Sequence, residues 1–130
     1  MNILLSTDGL AHTENAVEFA LDYARLKDAT LFIVFVASPR EDEERVKVEK
    51  CGRSALARLE SQGAKLGVRI KTLLEVGNPY ETILDIADRV RADIIVVGTS
   101  GKTAVDRMLI GSVSEYIVRN AKCTVVVVRR

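Results

Sequence analysis

One stretch of the chain, residues 96–114, carries the residue types of a phosphate-binding loop. It reads VVGTSGKTAVDRMLIGSVS, and its Gly101, Lys102 and Thr103 are the residue types that end a P-loop. A P-loop has the pattern G-x-x-x-x-G-K-[ST], because four residues between its glycines let backbone N–H groups wrap the phosphates. Val96 stands where the first of those glycines is needed, so this stretch is not a P-loop.

The same glycines fit a different arrangement around an anion. Two residues separate Gly98 from Gly101, and nine more separate Gly101 from Gly111 and Ser112. Glycine lets backbone N–H groups approach an anion closely, and a helix N-terminus adds free donors and a partial positive charge. The side chains that could add polar contacts are Lys102, Ser112 and Ser114. The competing interpretation is that the glycines only form turns and that Lys102 is solvated.

The elements that must position this stretch alternate between strands and helices. Apolar runs predict strands over 2–7, 30–36, 68–76, 93–98 and 123–128. Amphipathic segments between them predict helices that begin near Thr13, Glu41, Pro79 and Val113. Apolar strands that alternate with amphipathic helices are typical of a parallel sheet covered by helices on both faces. The chain is therefore predicted to be one α/β domain over residues 1–130.

Three segments give sharper expectations. In GNPYETI, Asn78 is predicted as an N-cap and Pro79 as the first helical residue. The strand predicted over 68–76 alternates at first, with Val68, Ile70 and Thr72 against Arg69 and Lys71, which predicts a half-exposed strand near a sheet edge. The apolar stripe expected on the second helix consists of Val48, Cys51, Ala55, Leu56 and Leu59.

Sheets of this kind bind ligands beyond the carboxyl ends of their strands, where the strand order reverses. That crevice is expected to collect Asp8 and Gly9 from the end of strand 1 and Gly98 to Gly101 from the end of strand 4. Asp8 has the alternative role of capping the first helix. His12, the only histidine, is expected to be a solvated loop residue rather than a catalyst.

The composition of the chain limits the classes of partner that we expect it to bind. The chain has 130 residues, a net charge of +1, three Phe, three Tyr and no Trp. Neither a basic excess nor a set of stacking aromatics indicates nucleic-acid binding. Cys51 and Cys123 have no metal-site or redox spacing, and no apolar run approaches the ~20 residues of a membrane span. We therefore expect a cytoplasmic protein with no nucleic-acid or membrane partner.

The pattern G-2x-G-9x-G-[ST] resembles the nucleotide-binding signature of the universal stress protein family, in its ATP-binding branch. The resemblance covers the whole chain, from NILLSTDG at the first strand to CTVVVVRR at the last. It implies an open, Rossmann-like, five-stranded parallel sheet of order 3-2-1-4-5, of the adenine nucleotide alpha hydrolase-like type. It also implies that Asp8 and the Val36 backbone hold the adenosine. The residues that it places at the ribose and phosphates are Val97, Gly98, Gly101, Gly111, Ser112 and Val113.

The function implied is that of a small regulatory or stress-response module that binds ATP, with Mg²⁺ as the expected companion. The alternative is a slow ATPase or phosphoryl-transfer enzyme, although the crevice offers few groups for catalysis. A phosphoryl-accepting receiver domain is rejected, because the needed acidic cluster and terminal lysine are missing, and a flavin-binding module is a weaker possibility. The strand CTVVVV is apolar on both faces yet expected at a sheet edge, which predicts a homodimer through this last strand.

Overall fold

The computed structural model describes residues 1–38, 42–99 and 111–130. Strands and helices alternate along them, as the sequence predicts, and each strand differs from its predicted range by one residue. A short 3₁₀ turn, Ala11–Thr13, precedes the first helix. The strands are β1 (Asn2–Ser6), β2 (Thr30–Ala37), β3 (Arg69–Val76), β4 (Ile94–Gly98) and β5 (Thr124–Val128). The helices are α1 (Glu14–Lys27), α2 (Asp42–Lys65), α3 (Pro79–Arg89) and α4 (Ser112–Asn120).

The five strands form one parallel sheet in the order β3-β2-β1-β4-β5, which confirms the predicted order. β1 lies in the centre, and the chain runs outward through β2 and β3 before it crosses to β4. The helices that follow β1 and β4 lie on opposite faces of the sheet, so a crevice opens between the carboxyl ends of these two strands. The order also differs from the 2-1-3-4-5 order of flavodoxin-like sheets.

Helices cover both faces of the sheet. α1 and α2 pack on one face, where Leu21, Leu56 and Leu59 meet the side chains of Ile3 and Ile33. The opposite face is covered by α3 and α4, whose inward residues on that side are Ile83, Ile86 and Ile117. Because both faces are buried, the central strands are apolar throughout, which is why they read as continuous apolar runs in the sequence.

Local signals account for the start of α3. The Asn78 side chain accepts a hydrogen bond of 2.9 Å from the Tyr80 backbone N–H, and Pro79 is the first helical residue. Proline suits this position because its missing N–H would have no partner inside the helix. The predicted N-cap is thus confirmed, and it fixes where α3 begins at the carboxyl end of the sheet.

The predicted stripe on α2 is wrong at one position. Cys51 is exposed, and the helix instead approaches the sheet through two buried glycines, Gly52 and Gly63. A Cβ atom on Gly52 would lie 2.7 Å from Phe35, and one on Gly63 would lie 1.8 Å from Ile70. Glycine was not counted as an inward-facing residue in the sequence pattern, although its lack of a side chain is what allows this close packing.

The two edge strands differ in character. β3 alternates between exposed and half-buried residues along much of its length, as predicted for an edge. β5, at the other edge, keeps its four valines, residues 125–128, half-buried rather than buried. Among the described residues, no helix is long and apolar enough to cross a membrane.

Candidate functional site

A cavity of about 240 Å³ lies at the carboxyl ends of β1 and β4, where the topology predicts a ligand crevice. The structure brings seven of the predicted binding residues into this cavity or its rim. They are Asp8, Val36, Gly98, Gly111, Ser112, Val113 and Ser114. The other residues that line the cavity were not predicted as ligand contacts. They are Ser6, Thr7, His12, Thr13, Pro79 and Ile83.

Of the other three predicted residues, the structure describes one, Val97, which does not line the cavity. Val97 is buried in the core between the sheet and the α3–α4 layer, so only its backbone remains available for the predicted contact. Gly101 and Lys102 lie outside the described residues. Their predicted contacts with phosphate stay predictions.

The N-terminus of α4 forms one wall of the cavity. Gly111 is its N-cap, with extended φ and ψ of −64° and 161°, and no side chain caps the first turn. The first intrahelical hydrogen bond runs from the Glu115 N–H to the Gly111 carbonyl at 2.9 Å. The N–H groups of Ser112, Val113 and Ser114 precede that bond and have no partner inside the helix. This wall offers donors and a partial positive charge to an anion.

The two serines of this turn have different hydroxyl contacts. Ser114 is buried, and its Oγ donates a 2.5 Å hydrogen bond to the Gly98 carbonyl at the end of β4. A hydroxyl has one proton to donate, so Ser114 cannot donate to a phosphate while this bond is present. Ser112 is exposed, and its Oγ lies 2.9 Å from the Tyr80 hydroxyl of α3. Of the two predicted hydroxyl donors, Ser112 is the one placed to reach a ligand.

The opposite wall holds an acid and a histidine. Asp8 Oδ1 accepts a 2.9 Å hydrogen bond from the Leu10 N–H, which closes a tight turn after β1 rather than capping α1. Asp8 Oδ2 lies 2.5 Å from His12 Nε2, and His12 Nδ1 lies 3.3 Å from the Thr99 carbonyl oxygen. The expectation of a solvated His12 is wrong. The 3₁₀ turn directs the imidazole back over the end of β1, and its side chain is 17% exposed.

Beneath this wall, two buried hydroxyls join the β1 turn to the start of α1. Thr7 Oγ1 lies 3.0 Å from Thr13 Oγ1, and Thr13 Oγ1 also donates to the Leu10 carbonyl at 2.8 Å. The Gly9 N–H donates to Thr7 Oγ1 at 3.1 Å, and Gly9 has a φ of +76°, which glycine adopts without strain. The loop that carries Asp8 and His12 is thus held by its own hydrogen bonds.

A second cavity, of about 400 Å³, continues from the first on the side of α2. Asp8 and Val36 line both cavities. The second is mostly apolar, with Phe35, Val48 and Leu10 along it. A ligand that spans both would meet an apolar region at one end, Asp8 in the middle and the α4 N-terminus at the other end.

The family model of the universal stress protein family matches residues 1–129 of this chain. The chain belongs to the universal stress protein family.

Relatives in the universal stress protein family resemble this chain along its whole length. A universal stress protein of Methanocaldococcus jannaschii is 34% identical, with 98% of this chain and 81% of the relative covered. The crystal structure of a universal stress protein in complex with cAMP has a TM-score of 0.79 and 27% identity, with 99% and 97% of the two chains covered. The Archaeoglobus fulgidus universal stress protein in complex with dAMP has a TM-score of 0.78 and 26% identity, with 99% and 98% covered.

Two side chains of this universal stress protein contribute to the site without having been singled out as binding residues. His12 stands four residues after Asp8, and Tyr80 follows the cap of α3. The spacing of four was a usable signal, because one turn of helix can return a side chain toward the residue that precedes it. Tyr80 carried no such signal, since its contact with Ser112 depends on how α3 packs beside α4.

Proposed function

We propose that this chain is a nucleotide-binding regulatory module whose ligand is an adenine nucleotide, with ATP and Mg²⁺ as the expected form. Two relatives support the adenine part, because one has been crystallised with cAMP and another with dAMP. The chain belongs to the same family and has a cavity at the topological switch point of the same fold. A role in a stress response, exerted through protein partners, follows from the family and is part of the proposal.

The observation that carries the proposal is the uncapped first turn of α4 beside the cavity. Three N–H groups, from Ser112 to Ser114, are left without intrahelical partners there. Donors in this position, together with the helix dipole, bind phosphate groups in many nucleotide-binding folds. The residues of this turn that line the cavity, Gly111 to Ser114, include no carboxylate, so the wall itself adds no negative charge.

The other end of the cavity suits a base and a ribose. The apolar second cavity along Phe35 and Val48 would bury the flat faces of adenine. Asp8, which lines both cavities, is placed to accept hydrogen bonds from the donors of adenosine, namely the amino group and the ribose hydroxyls. Along the two cavities, the α4 N-terminus, Asp8 and the apolar region stand in the same order as the phosphates, the ribose and the adenine of a nucleotide.

Mg²⁺ fits this site as a companion of the phosphates rather than as a resident ion. The described residues contain no group of three or more His, Cys, Asp or Glu side chains that could hold a metal. Mg²⁺ typically keeps several waters and is held by substrate phosphates with one or two carboxylates. Asp8, the carboxylate that lines the cavity among the described residues, is assigned to adenosine, so the phosphates and water would hold Mg²⁺.

A phosphoryl-transfer enzyme is the second candidate. Such an enzyme needs a residue that orients or deprotonates the nucleophile, and His12 is the group in the cavity that could act as a base. Both of its ring nitrogens already face acceptors, Asp8 and the Thr99 carbonyl. This arrangement favours a binding module, and hydrolysis, if measured, is expected to be far below the ~10 per second typical of enzymes.

The experiment that tests binding at α4 compares Ser112→Pro with Ser112→Ala. Ser112 is the first helical residue, where proline is well tolerated, and the extended Gly111 before it has the conformation that a following proline requires. Ser112→Pro removes one N–H from the cavity wall as well as the hydroxyl, whereas Ser112→Ala removes the hydroxyl alone. The difference between the two variants therefore reports the backbone donor.

We expect calorimetry with ATP and Mg²⁺ to show binding by the wild type and a tenfold or greater further loss for Ser112→Pro relative to Ser112→Ala. A hydrogen bond to a charged group contributes about 1.5–3 kcal/mol, and ~1.4 kcal/mol is a factor of ten. Melting temperatures of the two variants should be close, because Ser112 is exposed. No ATP binding at millimolar concentration, or equal affinities of the two variants, would count against the proposal.

We also propose a homodimer that forms through β5. This strand is at the edge of the sheet, and residues 125–128 are half-buried valines. An apolar edge with unpaired backbone groups invites pairing with another strand, and the same strand of a second copy is self-complementary across a two-fold axis. Val118, exposed on the neighbouring helix α4, adds apolar surface to this side of the molecule.

A further inference from the structure

His12 lines the cavity, and the proposed binding of a nucleotide gives it no role. It is the only histidine of the chain, and its side chain is 17% exposed, compared with 45% for Asp8. Asp8 is thus the more accessible member of the pair, and its contact with His12 lets the imidazole act on a ligand through the carboxylate.

His12 also connects the ends of β1 and β4 beyond the point where the pairing of these two strands stops. The ladder between β1 and β4 ends at the pair Leu5 and Val96, whereas β1 continues beside β2 through Ser6. Beyond that point, His12 spans the gap, with Nε2 at 2.5 Å from Asp8 Oδ2 and Nδ1 at 3.3 Å from the Thr99 carbonyl oxygen. The imidazole thus ties the turn after β1 to the end of β4.

Both partners of the imidazole are hydrogen-bond acceptors. An ionised carboxylate and a backbone carbonyl have no proton to donate. The shorter of the two contacts is the one to Asp8 Oδ2, so an imidazole with its proton on Nε2 donates to the carboxylate.

Asp8 keeps acceptor sites for a ligand in this arrangement. Each of its oxygens makes one hydrogen bond, Oδ1 with the Leu10 N–H and Oδ2 with His12. An ionised carboxylate offers about four lone-pair sites, so sites remain free. Because the carboxyl group is held at both oxygens, those sites have a fixed direction toward the two cavities that Asp8 lines.

We propose that His12 is a positioning residue for nucleotide binding, which holds the Asp8 carboxylate as an oriented acceptor for the donors of adenosine. The inference rests on the proposed function, because it assigns His12 a role at the same site. The competing role is that of a purely structural tie between the ends of β1 and β4. That role needs the contact with Thr99, whereas the positioning role needs the contact with Asp8.

Two amide variants separate these contacts. The amide nitrogen of Asn corresponds in reach to His Nδ1, so His12→Asn keeps a donor for the Thr99 carbonyl and loses the donor to Asp8. The amide nitrogen of Gln corresponds to His Nε2, so His12→Gln keeps the donor to Asp8 and loses the one to Thr99. We expect His12→Asn to bind ATP about tenfold more weakly, and His12→Gln to remain within about threefold of the wild type.

A double-mutant cycle with Asp8→Asn then tests whether His12 acts through Asp8. If it does, His12→Asn has little further effect on ATP affinity once Asp8 has been replaced, because coupled residues are non-additive. The wild-type imidazole offers a second readout by NMR. Because His12 is the only histidine, the histidine ring resonances are its own. They should shift when ATP is added and should not shift with the same concentration of inorganic phosphate.

The outcomes are distinct. If the wild type does not bind ATP, the proposed function fails and this inference fails with it. If the wild type binds ATP but His12→Asn and His12→Gln lose affinity equally, in step with their melting temperatures, His12 is a structural tie and this inference alone is wrong. Additive losses in the cycle would overturn it as well, since they would mean that His12 does not act through Asp8.

Discussion

The Ser114 hydroxyl donates a 2.5 Å hydrogen bond to the Gly98 carbonyl and so joins the first turn of α4 to the last residue of β4. Both residues line the cavity, yet the contact is internal to the protein. It uses the hydroxyl that the sequence offers as a phosphate donor, and it leaves the backbone N–H groups of the same turn for a ligand. The contact therefore positions the wall of the site rather than binding directly.

Ser114→Ala is expected to lower the free energy of unfolding by about 1–2 kcal/mol, because Ser114 is buried and the Gly98 carbonyl loses its partner. Urea denaturation measures the change. The matched control is Ser112→Ala, at an exposed position of the same turn, for which we expect a change within about 0.5 kcal/mol. A Ser114→Ala variant as stable as this control would show that the contact contributes nothing.

Two glycine variants should separate the site from the scaffold. A Cβ atom on Gly98 would meet Ala16 and Thr13 at 3.7–3.8 Å, which are ordinary contacts, whereas one on Gly63 would lie 1.8 Å from Ile70. We therefore expect Gly98→Ala to melt like the wild type but to bind ATP more weakly, because the methyl group enters the cavity wall. Gly63→Ala should lose about 1–3 kcal/mol of stability without a direct effect on the site.

Thermal unfolding and ATP titration of both glycine variants provide the measurement. Helix propensity alone would stabilise Gly63→Ala by about 1 kcal/mol, so a net loss of stability reports the clash with Ile70. Normal ATP affinity in Gly98→Ala would mean that the nucleotide does not approach this part of the cavity.

The two cysteines should differ in reactivity. Burial raises the pKa of the Cys123 thiol above 9.0, a backbone hydrogen bond partly offsets this, and Asp88 and Asp93 raise it further. Cys51 is exposed. Because the thiolate is the reactive form, iodoacetamide at pH 8 should alkylate Cys51 several-fold faster than Cys123 in the folded protein. Mass spectrometry over time, with Cys51→Ser and Cys123→Ser to assign the adducts, checks the order.

The same shift predicts a dependence of stability on pH. Since the Cys123 pKa is higher in the folded chain than in the unfolded one, the folded state holds this proton more tightly. The resulting contribution is fully present below the pKa of the unfolded thiol and is lost as the pH rises through the folded pKa. Cys123→Ala should remove that part of the alkaline loss of stability, and an unchanged pH profile would contradict the assignment.

The mass of the protein in solution tests the proposed homodimer. Light scattering at tens of micromolar should give about twice the 14.3 kDa of one chain. Val126→Asp places a charge in the half-buried edge strand, where it also contacts the core, so it should yield monomers of lower stability. Val46→Asp, at an exposed position of α2 on the β2 and β3 side of the sheet, serves as the comparison for a charge placed away from β5. A wild-type monomer would exclude this mode of assembly.

The sequence by itself determined the alternation of elements and the identity of most pocket residues. Apolar runs such as DIIVVG and the Asn78-Pro79 helix start are local signals, because periodicity and capping depend on neighbours along the chain. Once a parallel sheet was inferred, Asp8 and Gly98 had to lie at the same edge. The strand order came from the family resemblance, and the structure confirmed it.

Only the tertiary structure decided which atoms of those residues face the cavity. Ser112 and Ser114 are equivalent donors in the sequence, yet one hydroxyl is exposed and the other donates to a strand that ends 16 residues earlier. His12 looks like a loop residue until the 3₁₀ turn brings its ring between Asp8 and Thr99, which lies 87 residues away along the chain. Contacts between such distant residues depend on how the elements pack, and the local pattern carries no information about that packing.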